Sequence, residues 1–138
     1  MSEQPTPAQA PAPQSEQQII EEGKIFALLA YLGILCLVPL LAKKDNKFAY
    51  YHAKQGLVLF IAEVILFLVL GIGGFIIGMI ASMIHGMLGA IFGMLFGLLW
   101  LAVVLGSLAI SIIGIVQSLN GKYWEIPVLG KYAKKFNF

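Results

Sequence analysis

The chain has 138 residues, of which 59% are hydrophobic and 12% are charged, and its formal net charge is +2. About a quarter of the residues in a soluble domain are charged, so this composition excludes an ordinary soluble protein. Arginine is absent and Cys36 is the only cysteine, which argues against nucleic acid as a partner and excludes a disulfide framework.

The first 18 residues are rich in Pro, Ala and Gln and contain four of the six prolines. They bury too little apolar area to offset their ordering entropy, so residues 1–18 are predicted to be a disordered tail. A basic n-region is missing, which argues against a cleavable signal peptide. Ser15 and Gln18 have the spacing of a capping box. A first membrane span is predicted over residues 24–42, with a kink at Pro39.

The segment from Lys43 to Lys54 combines four lysines with aromatic residues, a composition typical of a membrane–water interface. It predicts a short interfacial helix that leads into the second span. His52, Lys54 and Gln55 are candidates for contact with a lipid headgroup or a partner protein. The alternative for His52 is a cap on the second helix.

From Gly56 to Leu119 the only formally charged side chain is that of Glu63. A helix needs about 20 apolar residues to cross a bilayer, so this run has room for three more passages. Spans are predicted over residues 54–70, 74–95 and 99–119, with the glycines of residues 71–74 as the first break and Trp100 as an interfacial anchor. No polar loop separates the last two spans, so three spans in all is the alternative.

Small residues recur at every fourth position in two registers within this run. Such spacing lets helix backbones approach closely in lipid. It predicts helix packing within the chain, or alternatively a homo-oligomer face, through Gly74, Gly78, Ser82, Gly86, Gly89, Gly93 and Gly97.

Residues 123–138 follow the predicted bundle of residues 19–122 and form a basic, aromatic tail. Its apolar and lysine positions predict a short amphipathic helix on the membrane surface. The candidates for contact with anionic headgroups or an interface are Lys122, Trp124, Lys131, Lys134 and Lys135.

Glu63 is predicted to lie about 12 Å deep in the second span, at 1.5 Å per residue. With a turn near Ile72, His85 on the third span would come within about one turn of that depth. This pair could relay protons or bind a cation, and the alternative is an interhelical hydrogen bond that fixes packing. No zinc motif and no nucleophile with an acid and a base accompany the pair, so catalysis, a metal site and a cofactor are not expected.

Two blocks carry a resemblance to a known family: His52-Ala53-Lys54-Gln55-Gly56, and Gly121-Lys122-Tyr123-Trp124-Glu125-Ile126-Pro127. With residues 27–31 and 39–44 they resemble the Tic-type family, which contains the small four-helix import subunit of the chloroplast inner envelope and prokaryotic relatives of unassigned function. The resemblance covers about residues 22–135. It implies a four-helix bundle with both ends on the stromal or cytoplasmic side.

The sequence therefore predicts an all-α membrane protein of four transmembrane helices with short interfacial helices, in a prokaryotic inner membrane. The predicted function is a small scaffold or assembly subunit without catalysis, linked to protein insertion or translocation, with the bilayer and other membrane proteins or further copies as partners. The alternative is a homo-oligomeric channel or transporter that uses Glu63 and His85. With four spans, the Lys43–Lys54 loop would lie on the opposite side from both ends of the chain.

Overall fold

The computed structural model describes residues 12–84 and 86–136. Within these ranges the chain contains no strand, which confirms the all-α class. Two of the helices are long and apolar enough to cross a membrane, and a bundle of four spans is not confirmed. The elements in chain order are α1 (Glu16–Leu29), a 3₁₀ helix (Gly33–Cys36), α2 (Leu37–Ala42), α3 (Lys47–Met83), α4 (Met87–Leu119) and α5 (Gly130–Ala133).

The two long helices, α3 and α4, form an antiparallel hairpin. The side chain of Glu63 is hydrogen-bonded to Ser107, and the ring centroids of Phe67 and Trp100 are 5.5 Å apart. From Leu57 to Met83, α3 has 27 residues, or about 40 Å, enough to cross the roughly 30 Å hydrocarbon layer of a bilayer and part of the headgroup region next to it. Most apolar side chains in this part of the hairpin are exposed, so they face lipid and not a protein core.

The predicted break between the second and third spans is wrong. α3 runs without interruption through residues 71–74, and α4 likewise runs through the predicted boundary between residues 95 and 99. A glycine costs a helix interior only about 1 kcal/mol relative to alanine. In lipid every backbone group must be paired within the segment, so glycines alone do not end the helix. The chain reverses instead between Met83 and Met87, where Gly86 has a φ of 103°.

The predicted first span over residues 24–42 is also interrupted. α1 ends at Leu29, and the chain then turns back through the 3₁₀ helix and α2. Gly33 has a φ of 63°, a conformation that glycine adopts without steric cost. Pro39 is tolerated because it lies in the first turn of α2, where backbone N–H groups lack intrahelical partners.

Both ends of the described chain pack at one end of the hairpin. We call this part the base: residues 16–63 (α1, the 3₁₀ helix, α2 and α3 up to Glu63, with the connections between them), α4 from Ser107, and residues 120–136. The side chain of Asn46 caps α3 by accepting a hydrogen bond from the Ala49 N–H at 2.9 Å. Its amide also donates to the Ile19 carbonyl at 2.8 Å. The segment before α3 therefore lies beside α1, on the same side as both ends of the chain, and its predicted position on the opposite side is wrong.

At the start of the described chain, the predicted capping box is confirmed. The Gln18 N–H donates to Ser15 Oγ at 3.3 Å, and the Ser15 N–H donates to Gln18 Oε1 at 3.0 Å. Helix α1 therefore begins at Glu16, inside the segment predicted to be disordered. The rest of that prediction falls mainly on residues 1–11, which lie outside the described residues.

At the other end, the predicted surface helix is reduced to the four residues of α5. Ile126, Gly130 and Ala133 are buried against the base. The tail therefore uses its apolar side chains to pack on the protein itself.

Candidate functional site

The centre of the base is His52, whose side chain is fully buried. Its Nε2 lies 2.9 Å from the backbone carbonyl oxygen of Lys122. Because a carbonyl only accepts hydrogen bonds, Nε2 carries the proton and Nδ1 is the acceptor. The Tyr31 hydroxyl donates to Nδ1 at 2.8 Å. His52 therefore joins α1, α3 and the C-terminal segment in one hydrogen-bonded chain.

His52 belongs to the first two turns of α3, which precede its lipid-facing part, with Lys47 and Lys54 on either side. Burial lowers the pKa of its imidazole to about 4, an effect that the hydrogen bond to the Lys122 carbonyl opposes. The ring is therefore neutral at neutral pH. A neutral imidazole with both nitrogens bonded is a structural group, and neither nitrogen remains open for a ligand.

Aromatic rings surround this imidazole. Tyr31, Phe48 and Tyr51 contact His52 edge-on, with centroids 5.7, 4.7 and 5.4 Å away. Tyr123 from the C-terminal segment packs on Phe48 and Tyr51 at 5.2 Å. Edge-to-face pairs of this kind add about 0.5–1.5 kcal/mol each beyond their buried area. The rings thus hold α3 and the tail together.

Gln55, one helical turn after His52, provides a second link to the tail. Its Oε1 accepts a hydrogen bond from the Ile126 N–H at 3.1 Å, and its Nε2 donates weakly to the Gly130 carbonyl at 3.5 Å. Gln55 is buried, as is His52. The predicted contact of these two side chains with a headgroup or partner is therefore wrong, and the alternative cap on the helix is made by Asn46 instead.

The C-terminal segment also reaches α1. The Tyr123 hydroxyl donates to a Glu16 carboxylate oxygen at 3.0 Å. Burial, together with that carboxylate, raises the pKa of Tyr123 to about 12. Trp124 is half-buried against a cluster formed by Ala30, Tyr31, Leu59 and Ile126. Part of its ring therefore packs on the protein, and its predicted contact at an interface stays a prediction.

The lysines of the tail stay at the surface. Lys134 forms an ion pair with Glu125 at 2.8 Å, and this contact raises the pKa of the ammonium group. Lys131 and Lys135 lie over the ring of Tyr132, at 5.3 and 5.2 Å from its centroid. Lys122 is exposed, and Lys54 on α3 lies 5.0 Å from the ring centroid of Tyr50. Their predicted contact with headgroups stays a prediction.

The predicted Glu63–His85 pair stays a prediction, because His85 lies outside the described residues. Glu63 is half-buried and is bonded to Ser107. Met83 lies 20 residues further along the same helix, about 30 Å away at 1.5 Å per residue.

The predicted packing through small residues holds at two positions. A Cβ at Gly74 would overlap the ring of Phe96, and one at Gly89 would lie 3.0 Å from the Ala81 carbonyl oxygen. Nothing lies within 4 Å of an added Cβ at the remaining glycines of the two registers, which are Gly78, Gly86, Gly93 and Gly97. The Ser82 hydroxyl donates to the Met79 carbonyl in its own helix at 2.7 Å.

Sequence reasoning missed three residues that assemble the base. One is Tyr31, whose hydroxyl orients His52. At Gly56 and Gly114 an added Cβ would overlap the Ala30 carbonyl and the Tyr31 ring, respectively. A lone glycine next to a polar block was the only signal for Gly56, and no local signal identified Gly114.

The model of the magnetosome magnetite crystal formation protein family, MamF/MmsF, matches residues 22–133. Magnetosome protein MamF of Magnetospirillum gryphiswaldense is 31% identical over 108 residues, which cover 76% of this chain and 77% of that protein. MamF of Paramagnetospirillum magneticum is 33% identical over 112 residues, covering 79% and 80%. Magnetosome protein MmsF of the same organism is 29% identical over 114 residues, covering 80% and 85%. No solved structure matches the chain.

These similarities correct the predicted resemblance to the Tic-type import family, which is wrong. Both sequence blocks that carried it lie inside the region matched by the magnetosome family model. A role in protein insertion or translocation has no support without that resemblance.

Proposed function

Because the chain belongs to the MamF/MmsF family of magnetosome magnetite crystal formation proteins, we propose that it is a non-catalytic scaffold of the magnetosome membrane that takes part in forming magnetite crystals. The observation that carries this proposal is the base, where the buried polar side chains that could have formed a catalytic or binding site are hydrogen-bonded within the protein instead. His52 uses both ring nitrogens to join α1, α3 and the C-terminal segment. Gln55 is occupied in the same way.

The charge distribution supports one orientation for this scaffold. All nine lysines lie in the base, and α3 and α4 carry no charged side chain between Glu63 and the end of α4. Lysine-rich segments next to membrane spans remain in the cytoplasm. The base and both ends of the described chain therefore face the cytoplasm, and the connection between α3 and α4 faces the other side of the membrane.

This orientation limits how the chain acts on a crystal. Residues 64–119 contain no Asp or Glu, so the part of the hairpin that reaches the far side offers no carboxylate oxygens, the ligands that hard cations prefer. The scaffold acts through the bilayer and through other membrane proteins or further copies of itself, not by binding mineral with acidic side chains.

Genetic replacement tests the proposal. The chain, fused to a fluorescent protein, is expressed in a magnetite-forming bacterium whose own family members have been deleted. We expect the fluorescence to coincide with the crystals, and the crystals in electron micrographs to be larger than those of the deletion strain. Fluorescence spread evenly over the cell membrane, with crystals no larger than in the deletion strain, would refute it.

A variant separates a scaffold from a catalyst. His52→Gln removes the imidazole but keeps a donor and an acceptor, so a protein that uses His52 only for structure should restore crystals whenever it accumulates to the normal level. Loss of crystal growth at a normal protein level would assign His52 a chemical role.

A further inference from the structure

The segment formed by the 3₁₀ helix and α2, residues 33–42, has an unusual surface. One face, formed by Cys36, Pro39 and Leu40, is buried. The opposite face is exposed and entirely apolar. With the preceding Leu32 included, this face consists of Leu32, Ile34, Leu35, Leu37, Val38 and Leu41. The side chains of Ile34 and Leu41 are 64% and 73% exposed. Water cannot be the solvent for such a face, since soluble proteins rarely expose large contiguous apolar patches.

This segment enters and leaves the membrane region from the same side. Its deepest point is near Gly33, which lies beside Phe60 and Glu63 of α3. Cys36 and Leu40 then pack against Ala53 and Leu57, earlier on α3. Lys43 lies three residues after Leu40, and its ammonium group is 5.2 Å from the ring centroid of Phe26 on α1. The path therefore goes in along α1 and returns along α2.

Charge and continuity identify lipid as the occupant of this face. Lys43 and Lys44 follow the apolar face directly, and Lys24 on α1 precedes it, so ammonium groups stand where a headgroup layer would begin. The buried side of this segment packs against Phe60 of α3, and the neighbouring Ile61 and Val64 of α3 are each 40% exposed.

We propose that the exposed face of residues 32–42 is an insertion site for the acyl chains of one leaflet, the leaflet whose anionic headgroups meet the lysines of the base. In that leaflet the cross-section of the protein includes α1 and the returning segment as well as α3 and α4. In the other leaflet it includes only α3 and α4. Each helix with its side chains is about 10–12 Å wide. The protein is therefore wider in one leaflet and favours a membrane that is convex on its lysine side.

The first experiment tests lipid coverage. A spin label is placed on Leu41→Cys in a Cys36→Ala background, in the full chain reconstituted with phosphatidylcholine and phosphatidylglycerol. We expect the label to collide with oxygen dissolved in lipid and to be protected from a water-soluble nickel chelate. Access by the nickel chelate, or protection from both reagents by a second copy, would overturn the proposal.

The second experiment tests curvature. Labelled protein is inserted from detergent into preformed giant vesicles of the same lipids, proteolysis of a terminal tag confirms that the base lies outside, and a narrow tube is pulled from the vesicle. We expect several-fold enrichment of the protein in the tube relative to the vesicle. Enrichment should fall for Ile34→Ala/Leu41→Ala, which removes volume from the inserted face without introducing polarity.

The matched control is Leu68→Ala/Leu105→Ala, which removes comparable volume from exposed positions of the spanning hairpin and should leave enrichment unchanged. Thermal unfolding in detergent verifies that both double variants are folded. Equal enrichment of the protein in tube and vesicle, or the same loss in both double variants, would overturn the proposal.

Discussion

At the scale of single residues, the base depends on one buried imidazole. Tyr31 is hydrogen-bonded to His52, Tyr51 contacts its ring, and Tyr123 packs on Tyr51. Among the described residues, the hydrogen bonds of His52 go to Tyr31 and the Lys122 carbonyl, and neither partner is a carboxylate. The neutral ring therefore lacks a counter-ion, and protonating it in place would bury an uncompensated charge.

The pH dependence of unfolding tests this arrangement. The pKa of His52 is about 4 in the folded protein and about 6.5 when unfolded. Above pH 6.5 the imidazole is neutral in both the folded and the unfolded state, so its contribution to the free energy of unfolding does not change with pH. As the pH falls from 6.5 to 4 the unfolded state takes up the proton first, so the free energy of unfolding drops by on the order of 3 kcal/mol.

Thermal unfolding in detergent measures this drop, and His52→Gln is the control because it does not titrate. The difference between the two profiles should lie in the pH 4 to 6.5 window, since the carboxylates that titrate at lower pH are common to both proteins. Parallel profiles for the two proteins would show that His52 is not buried as a neutral group.

At the scale of helices, the course of the chain depends on close backbone contacts at glycines. α1 approaches α3 so closely at Gly56 that a Cβ there would overlap the Ala30 carbonyl oxygen. On the same helix, Gly71 has nothing within 4 Å of an added Cβ. The two positions differ in packing while sharing helical backbone conformation.

Gly56→Ala should therefore destabilise the base by roughly 2 kcal/mol, because overpacking forces α1 away from α3. Gly71→Ala should be neutral or stabilise α3 by up to about 1 kcal/mol, because alanine is the better helix former. Denaturation in mixed micelles compares the two variants. Similar effects at both positions would contradict the close contact between α1 and α3.

The contact between α3 and α4 at Glu63 gives a further prediction. Glu63→Gln keeps the shape and the hydrogen bond to Ser107, so the unfolding free energy should change by less than about 1 kcal/mol. Crystal formation should be unaffected if Glu63 only fixes packing. Ion flux in liposomes containing the chain alone, abolished by Glu63→Gln, would instead favour the channel alternative.

At the scale of the whole molecule, charge is segregated to one end. The base contains every lysine, while the hairpin beyond Glu63 has none until Lys122. Four predicted spans would have divided the lysines almost equally between the two sides. The returning segment of residues 33–42 places them all on one side, which is a more favourable solution under the positive-inside rule.

Cysteine labelling in whole cells tests this topology. In a Cys36→Ala background, single cysteines at Gln17, Lys44 and Tyr123 should resist a membrane-impermeant maleimide until the cytoplasmic membrane is opened. A cysteine at Gly86 should react without that treatment. If Lys44→Cys and Gln17→Cys were labelled from opposite sides, residues 24–42 would cross the membrane and the base as described would be excluded.

The sequence by itself determined features that depend on composition and local spacing. The membrane environment follows from a run of 64 residues with one formal charge, because no soluble fold can cover it. The start of α1 follows from Ser15 and Gln18, because a capping box is formed within four residues.

Tertiary structure alone decided where the apolar segments go. Hydropathy shows that residues 24–42 are apolar. It does not distinguish a segment that crosses the bilayer from one that turns back to the side from which it entered. Contacts such as His52 with Lys122, which are 70 residues apart, fix that choice, and no local pattern encodes them. The glycines at residues 71–74 were ambiguous for the same reason: their local preference for a break is worth about 1 kcal/mol each, less than the cost of unpaired backbone groups in lipid.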